Sequence, residues 1–315
     1  MTGLLAELGR RLAERWFTLL VLPGLAYLLV AAAAVRLGHT GWGDWHALWD
    51  GFTALTEGEP ERQSALAVRA VLFVLAAVPV SAGLGLLAQA LATPVERALC
   101  GDWPRPFTAL AARLTTRRAA AWREADTAYH DSVAAPALGL PDAGRGRSEA
   151  GQGRPDAAQG QADAAAHAAR RNALSLIPPE RPTWLGDRLR APAVRLGREY
   201  GIDLATVWPR LWLVLPTPTR DILTAARARL DAAFALGGWA VLYLALAARW
   251  WPAAAIALTA AAVARRRASL AAEAYAELVE SAVDLHLDRL LTRLAEPRPA
   301  PQQGRALTER LRRGL

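Results

Sequence analysis

The chain has 315 residues, 53% of them apolar, and 37 basic against 29 acidic side chains give a formal net charge of +8. Every basic residue is arginine, which excludes a P-loop lysine, a Schiff-base lysine and a Ser-Lys dyad. The single cysteine, Cys100, excludes an internal disulfide and a cysteine-based zinc site and reads as a small buried or interfacial side chain.

Residues 1–15 carry Arg10, Arg11 and Arg15 and precede an apolar run at 16–35 that is long enough for a transmembrane helix. The loop 36–67 holds Asp44, Asp50, Glu57, Glu59 and Glu61 against Arg36 and Arg62. The positive-inside rule therefore puts residues 1–15 in the cytoplasm and the loop outside. A cleaved signal peptide is the lesser reading, because about 20 apolar residues are long for its apolar core. In the loop, Trp42, Trp45, Trp49 and Phe52 recur at helical spacing. They predict an interfacial helix that anchors at the outer surface, in preference to a carbohydrate-stacking platform.

A second transmembrane helix is expected at 68–92. It contains Gly83-Leu84-Gly85-Leu86-Leu87-Ala88, a dinucleotide-binding pattern stripped of its preceding strand and set inside a lipid-length run. Ser81, Gly85 and Gln89 read instead as positions for close helix packing, and Pro79 predicts a kink. Residues 93–133 form a cytoplasmic helical segment. Residues 134–173 have almost no large apolar side chain to offset ordering entropy and are expected to be a disordered linker, with some helical tendency in the later alanines. A cytoplasmic helical module follows at 174–232, where Trp208, Leu211, Trp212 and Leu215 share one helical face suited to a partner helix or the inner leaflet.

Transmembrane helices at 233–250 and 251–264 are short and form a tight hairpin, with Trp250 and Trp251 as interface anchors at its turn. A shallow hairpin that does not span is the alternative, and either arrangement returns the C-terminus to the cytoplasm. Thr217-Pro218 and Pro252 open helices that run on unbroken, the second as a cytoplasmic amphipathic helix over 265–296 before a flexible tail at 297–315. Together they form an antiparallel helical stalk. Its second helix presents an acidic stripe of Glu273, Glu277, Glu280, Asp284 and Asp288, and the hairpin register sets Arg229 against Glu273 and Arg220 against Glu280.

Tyr200-Gly201-Ile202-Asp203, Trp208-Pro209-Arg210-Leu211-Trp212 with Leu215-Pro216, and the run from Tyr275 to His286 (YAELVESAVDLH) resemble motifs of a family of uncharacterised multi-pass membrane proteins of actinobacteria. The resemblance covers residues 174–291 well and the first two spans loosely. It implies a four-span architecture and no activity.

The chain lacks HExxH, GxSxG, paired-cysteine and EF-hand patterns, and His39, His46, His130, His167 and His286 share no motif. No catalytic residue, cofactor or metal ligand is assigned, and the chain is not expected to be an enzyme. A turnover site at Asp203, Asp284 or His286 is the least favoured reading. A metal site from Glu280, Asp284, His286 and Asp288 is disfavoured because His286 projects opposite Asp284 on a helix. The basic excess suits anionic lipid better than nucleic acid. The sequence thus predicts an all-α integral plasma-membrane protein with four transmembrane helices and both termini cytoplasmic. It acts as a scaffold or interaction element on a cytoplasmic or membrane protein partner, through Trp208 to Leu215 and the acidic stripe. A homo-oligomer is compatible with this reading. An oligomeric channel or small-solute permease is the alternative, although no ionisable group near mid-bilayer supports coupled transport.

Overall fold

The computed structural model describes residues 21–39, 60–138 and 155–295. Trp42, Trp45, Trp49 and Phe52 lie outside them. Among the described residues every regular element is helical: α1 (Leu22–Leu37), α2 (Pro60–Cys100), a 3₁₀ turn (Arg105–Phe107), α3 (Thr108–Leu138), α4 (Pro155–Leu174), α5 (Trp184–Tyr200), α6 (Leu204–Val214), α7 (Thr217–Ala247) and α8 (Pro252–Ala295). The all-α expectation is met. Two helical stretches are long and apolar enough to cross a membrane, one within Leu75–Ala134, whose apolar part belongs to α2, and Thr217–Ala247 in α7; α1 is apolar but shorter. Proline and threonine signals place the starts of α7 and α8, and both helices run without a break past the ends of their apolar segments.

The chain divides into two compact units, Met1–Asp187 with Ala228–Ala272, and Arg188–Arg227 with Glu273–Leu315. In the first unit small residues let apolar helices touch backbone to backbone. A Cβ on Gly24 of α1 would collide with the Ser81 carbonyl of α2, and one on Gly238 of α7 with the Ala88 carbonyl of α2. Such crossings gain dispersion contact between the two backbones that a larger side chain would prevent. Ser81 is buried and returns its hydroxyl to the Val78 carbonyl at 2.8 Å, so the crossing carries no orphaned donor. Gly85 is also buried, whereas Gln89 is exposed; of the three expected packing positions, two face protein. Tyr27 of α1 donates to the Leu242 carbonyl at 3.3 Å, and its ring meets Tyr243 edge-on at 5.1 Å.

At the far end of α1, Ala34 and Leu37 form a cluster with Trp250 and Ala253 from the turn between α7 and α8. His39 Nδ1 lies 2.6 Å from the Arg249 carbonyl. Of the two tryptophans expected as interface anchors, Trp250 is therefore buried against protein, while Trp251 is exposed. The difference has a simple origin. Trp250 lies two residues before α8 and shares the inward face with Ala253 three positions on, and Trp251 points a third of a turn away.

Helix α4 occupies residues expected to form a linker. Alanine supplies intrinsic helicity, and the helix docks on α3 through small faces that need no large side chain; Ala121, Ala125 and Ala128 of α3 share a groove with His167, Ala173 and Leu174 of α4. Arg171 fixes the pairing, 3.2 Å from Asp126 and with its guanidinium 4.6 Å above the Tyr129 ring. Below this pair sits the unit's polar node. The buried Asp187 carboxylate accepts Arg118 Nη1 at 2.5 Å through one oxygen and the backbone N–H groups of Glu180 and Arg181, both at 3.0 Å, through the other. Arg118 also donates to the Arg181 and Leu174 carbonyls at 2.6 and 3.1 Å, and Trp122 closes the node by donating to the Ser175 carbonyl at 2.8 Å.

Candidate interaction surface

The second unit holds the residues that the sequence marks as a contact surface. Gly201, at φ +67, ends α5 in the left-handed region, its N–H returning to the Gly197 carbonyl at 3.1 Å. Two residues later Asp203, in extended conformation, caps α6 by accepting the Ala205 N–H at 3.2 Å and the Thr206 hydroxyl at 2.6 Å. The apolar stripe of α6 then meets the same cluster that α5 contacts.

That cluster contains Leu196, Leu211, Leu215, Leu223, Val279, Val283 and Leu290, with Trp208 and Trp212 packed against it. The tryptophan rings are 6.0 Å apart and tilted. Leu211 and Leu215, expected at a docking face, are buried in the unit's own core, and Trp208 and Trp212 are half-buried. Helical spacing identifies an apolar face correctly but does not say whether its partner is internal, and here the unit supplies it. What α6 turns outward is Leu213, 78% exposed, with Pro209 and Arg210.

The acidic stripe is equally engaged, by residues that the pattern did not single out. Arg195 of α5 reaches Asp284 at 2.5 Å and Glu280 at 3.3 Å, and pairs within its own helix with Glu199 at 3.5 Å. The Tyr200 hydroxyl donates to the other Asp284 oxygen at 3.1 Å. These contacts raise the pKa of Arg195 above its ordinary value, chiefly through the hydrogen bond to Asp284, and raise that of Tyr200 through the same carboxylate. Arg188, 5% exposed, is held more loosely: Nη2 donates to the Glu273 carbonyl at 3.3 Å and lies 3.7 Å from Glu277, and Nη1 lies 3.8 Å from Glu280. Its Nε and Nη1 make no hydrogen bond among the described residues.

The expected pair of Arg220 with Glu280 is not the one formed. Glu280 is taken by α5, and Arg220 donates to Thr217 on its own helix at 3.2 Å. A third helix outcompetes the hairpin partner because Arg188 and Arg195 are seven residues apart, the same interval as Glu277 and Asp284. That matched interval was visible in the sequence and would have found α5 as the partner. Glu277, 66% exposed on its side chain, and the exposed Glu273 and Asp288 leave carboxylates facing solvent. His286 is half-buried with Nδ1 unpartnered among the described residues, and no group of three or more His, Cys, Asp or Glu there is arranged to hold a metal ion.

Compared with protein-family models, curated proteins and solved structures, the chain matches none of them.

Proposed function

We propose that this is a multi-pass membrane protein whose apolar helices hold the α5–α6–α8 module at the inner face of the plasma membrane, where the module serves as an interaction or scaffolding element. The observation that carries the reading is the surface of the apolar helices: only 22% of the apolar window of α2 and 39% of that of α7 is buried within the protein. A core helix of a soluble protein would be mostly covered. Exposed Leu75, Leu86, Leu87, Val241 and Leu244 face outward from these windows, as lipid contact requires.

The four-span arrangement adds α1 and the start of α8 as crossings. It is supported by the meeting of the C-terminal end of α1 with the α7–α8 turn, two points that positive-inside topology puts on the same, outer side. With Leu211 and Leu215 internal, the contact surface for a protein partner moves to exposed Leu213 and the solvent-facing Glu277 and Asp288. The absence of a lysine leaves no side chain for lysine-directed crosslinkers, so native copurification tests the reading. The intact chain resists alkaline carbonate extraction and retains a protein partner that Leu213→Asp loses. Release by carbonate overturns the membrane assignment; a partner held equally by both chains, or by neither, overturns the surface.

A further inference from the structure

We propose that Arg265, Arg266 and Arg267 of α8 bind the phosphate of anionic phospholipid headgroups. The inference rests on the membrane-spanning reading above and gives it a ligand class. From Pro252 to Ala264 the helix carries no charged residue. Those 13 residues rise only about 20 Å, against about 30 Å for a hydrocarbon core. An arginine group following so short a span is drawn to the depth of the headgroups instead of standing clear in water, and its side chain must snorkel toward phosphate.

The helix surface agrees with that depth. Ala264 and Ala268 are buried and mark the face turned to protein, while the three arginines between them are exposed and, at 100° per residue, cover the remaining circumference. Leu258 lies exposed before the triplet and Leu270 exposed after it. Apolar side chains open on both sides of a charged group are favourable where lipid, not bulk water, surrounds the helix. No acidic residue occurs between Pro252 and Ala272, and among the described residues no carboxylate pairs with any of the three guanidinium groups. No described residue supplies the counter-ion, and a headgroup phosphate can. A guanidinium presents paired donors that match two oxygens of a phosphate, and three fanned around one helix reach neighbouring headgroups.

The test uses the full chain purified in mild detergent with an equal mixture of phosphatidylglycerol and phosphatidylcholine, and counts retained lipid by native mass spectrometry. Phosphatidylglycerol is retained in preference by on the order of tenfold at low salt, and the preference falls as salt is raised. The triple variant Arg265→Gln, Arg266→Gln, Arg267→Gln abolishes the preference, and the corresponding triple lysine variant keeps most of it. Inorganic phosphate at millimolar concentration does not displace the lipid; displacement by phosphate alone would reassign the site to a free anion and overturn the proposal. A preference unchanged in the glutamine variant or insensitive to salt also overturns it. Carbonate extraction run in parallel separates the two readings. A chain that stays inserted without lipid preference fails only here, and a chain released from membranes fails the spanning assignment itself.

Discussion

Two arginines, one in each unit, show how differently this chain treats buried charge. Arg118 meets a fully used carboxylate: Asp187 accepts three donors, and the guanidinium gives two further N–H groups to backbone carbonyls. Arg188 is more deeply covered, its side chain 4% exposed against 22% for Arg118, but has three partners at 3.3 to 3.8 Å and two nitrogens without a hydrogen bond among the described residues. A closed network of this kind fixes a single arrangement of α3, α4 and the start of α5, because each donor removed leaves another group unpaired. A loose one contributes position and little stability, since long contacts recover only part of the desolvation cost. The first unit therefore ties its helices together through polar closure and backbone-close crossings. The second relies on its apolar cluster and holds Arg188 loosely, while Arg195 keeps a close pair with Asp284 at 2.5 Å.

The largest expected effect comes from opening the closed node. Asp187→Ala strips Arg118 of its counter-ion and orphans the N–H groups of Glu180 and Arg181, and should cost about 3–5 kcal/mol. Thermal unfolding in detergent, followed by circular dichroism, reads this as a lowered midpoint. A midpoint within a degree or two of the parent chain would mean that the node is not closed.

Next in size is the crossing of α2 with α7. Gly238→Ala forces its Cβ into the Ala88 carbonyl and should cost about 1–3 kcal/mol by the same assay. Gly83→Ala, on the same helix as Ala88 but with nothing within 4 Å of the added carbon, should be neutral or raise the midpoint through helix propensity. Equal losses from the two substitutions would show that backbone contact does not distinguish the sites.

Arg188→Met is the counterpart of the first prediction and sharpens the contrast directly. It removes an under-paired buried charge while keeping most of the volume. Glu280 retains Arg195, and Glu277 is already solvated. The change should move stability by less than about 1 kcal/mol in either direction, whereas Arg118→Met abandons the buried Asp187 and should approach the cost of Asp187→Ala. A loss at Arg188 equal to that at Arg118 would erase the distinction.

Much of this architecture was readable from local chemistry. Apolar length marked α2 and α7, threonine and proline marked where α7 and α8 begin, and the spacing of Trp208, Leu211, Trp212 and Leu215 marked the buried face of α6. The chain's failures to announce itself have one cause in common, which is that pairing is a tertiary property. Helix α4 was hidden because alanine faces need no large side chain to pack once Arg171 supplies Asp126 and Tyr129 with a partner. Trp250 and Trp251 are adjacent and chemically identical, and only the cluster at Ala34 and Leu37 decides which turns inward. The partner of Glu280 and Asp284 is not the hairpin's other arm but α5, where Arg188 and Arg195 repeat the interval of Glu277 and Asp284.

The smallest effect lies at the Asp284 contact beside the Arg195 pair and needs no change in stability to be seen. The Tyr200 hydroxyl donates to Asp284, and that bond to a carboxylate raises the phenol's pKa above its ordinary value near 10. The folded state favours the protonated phenol, so the contribution of this contact is complete below the unfolded value and is lost as pH rises through the folded one. In the sequence's set of 5 tyrosines, carbon-13 labelling of the ring carbon bonded to oxygen, with Tyr200→Phe to assign the signal, follows this group alone. Its titration should begin at higher pH than that of free tyrosine, and Asp284→Asn should bring it down toward the ordinary value, because the amide keeps an acceptor but loses the charge. Arg195→Met should act in the opposite sense, raising the titration further, since the guanidinium beside Asp284 lowers the phenol's pKa. An unchanged Tyr200 signal in Asp284→Asn would show that the Tyr200 hydroxyl of α5 is not joined to α8 through this carboxylate.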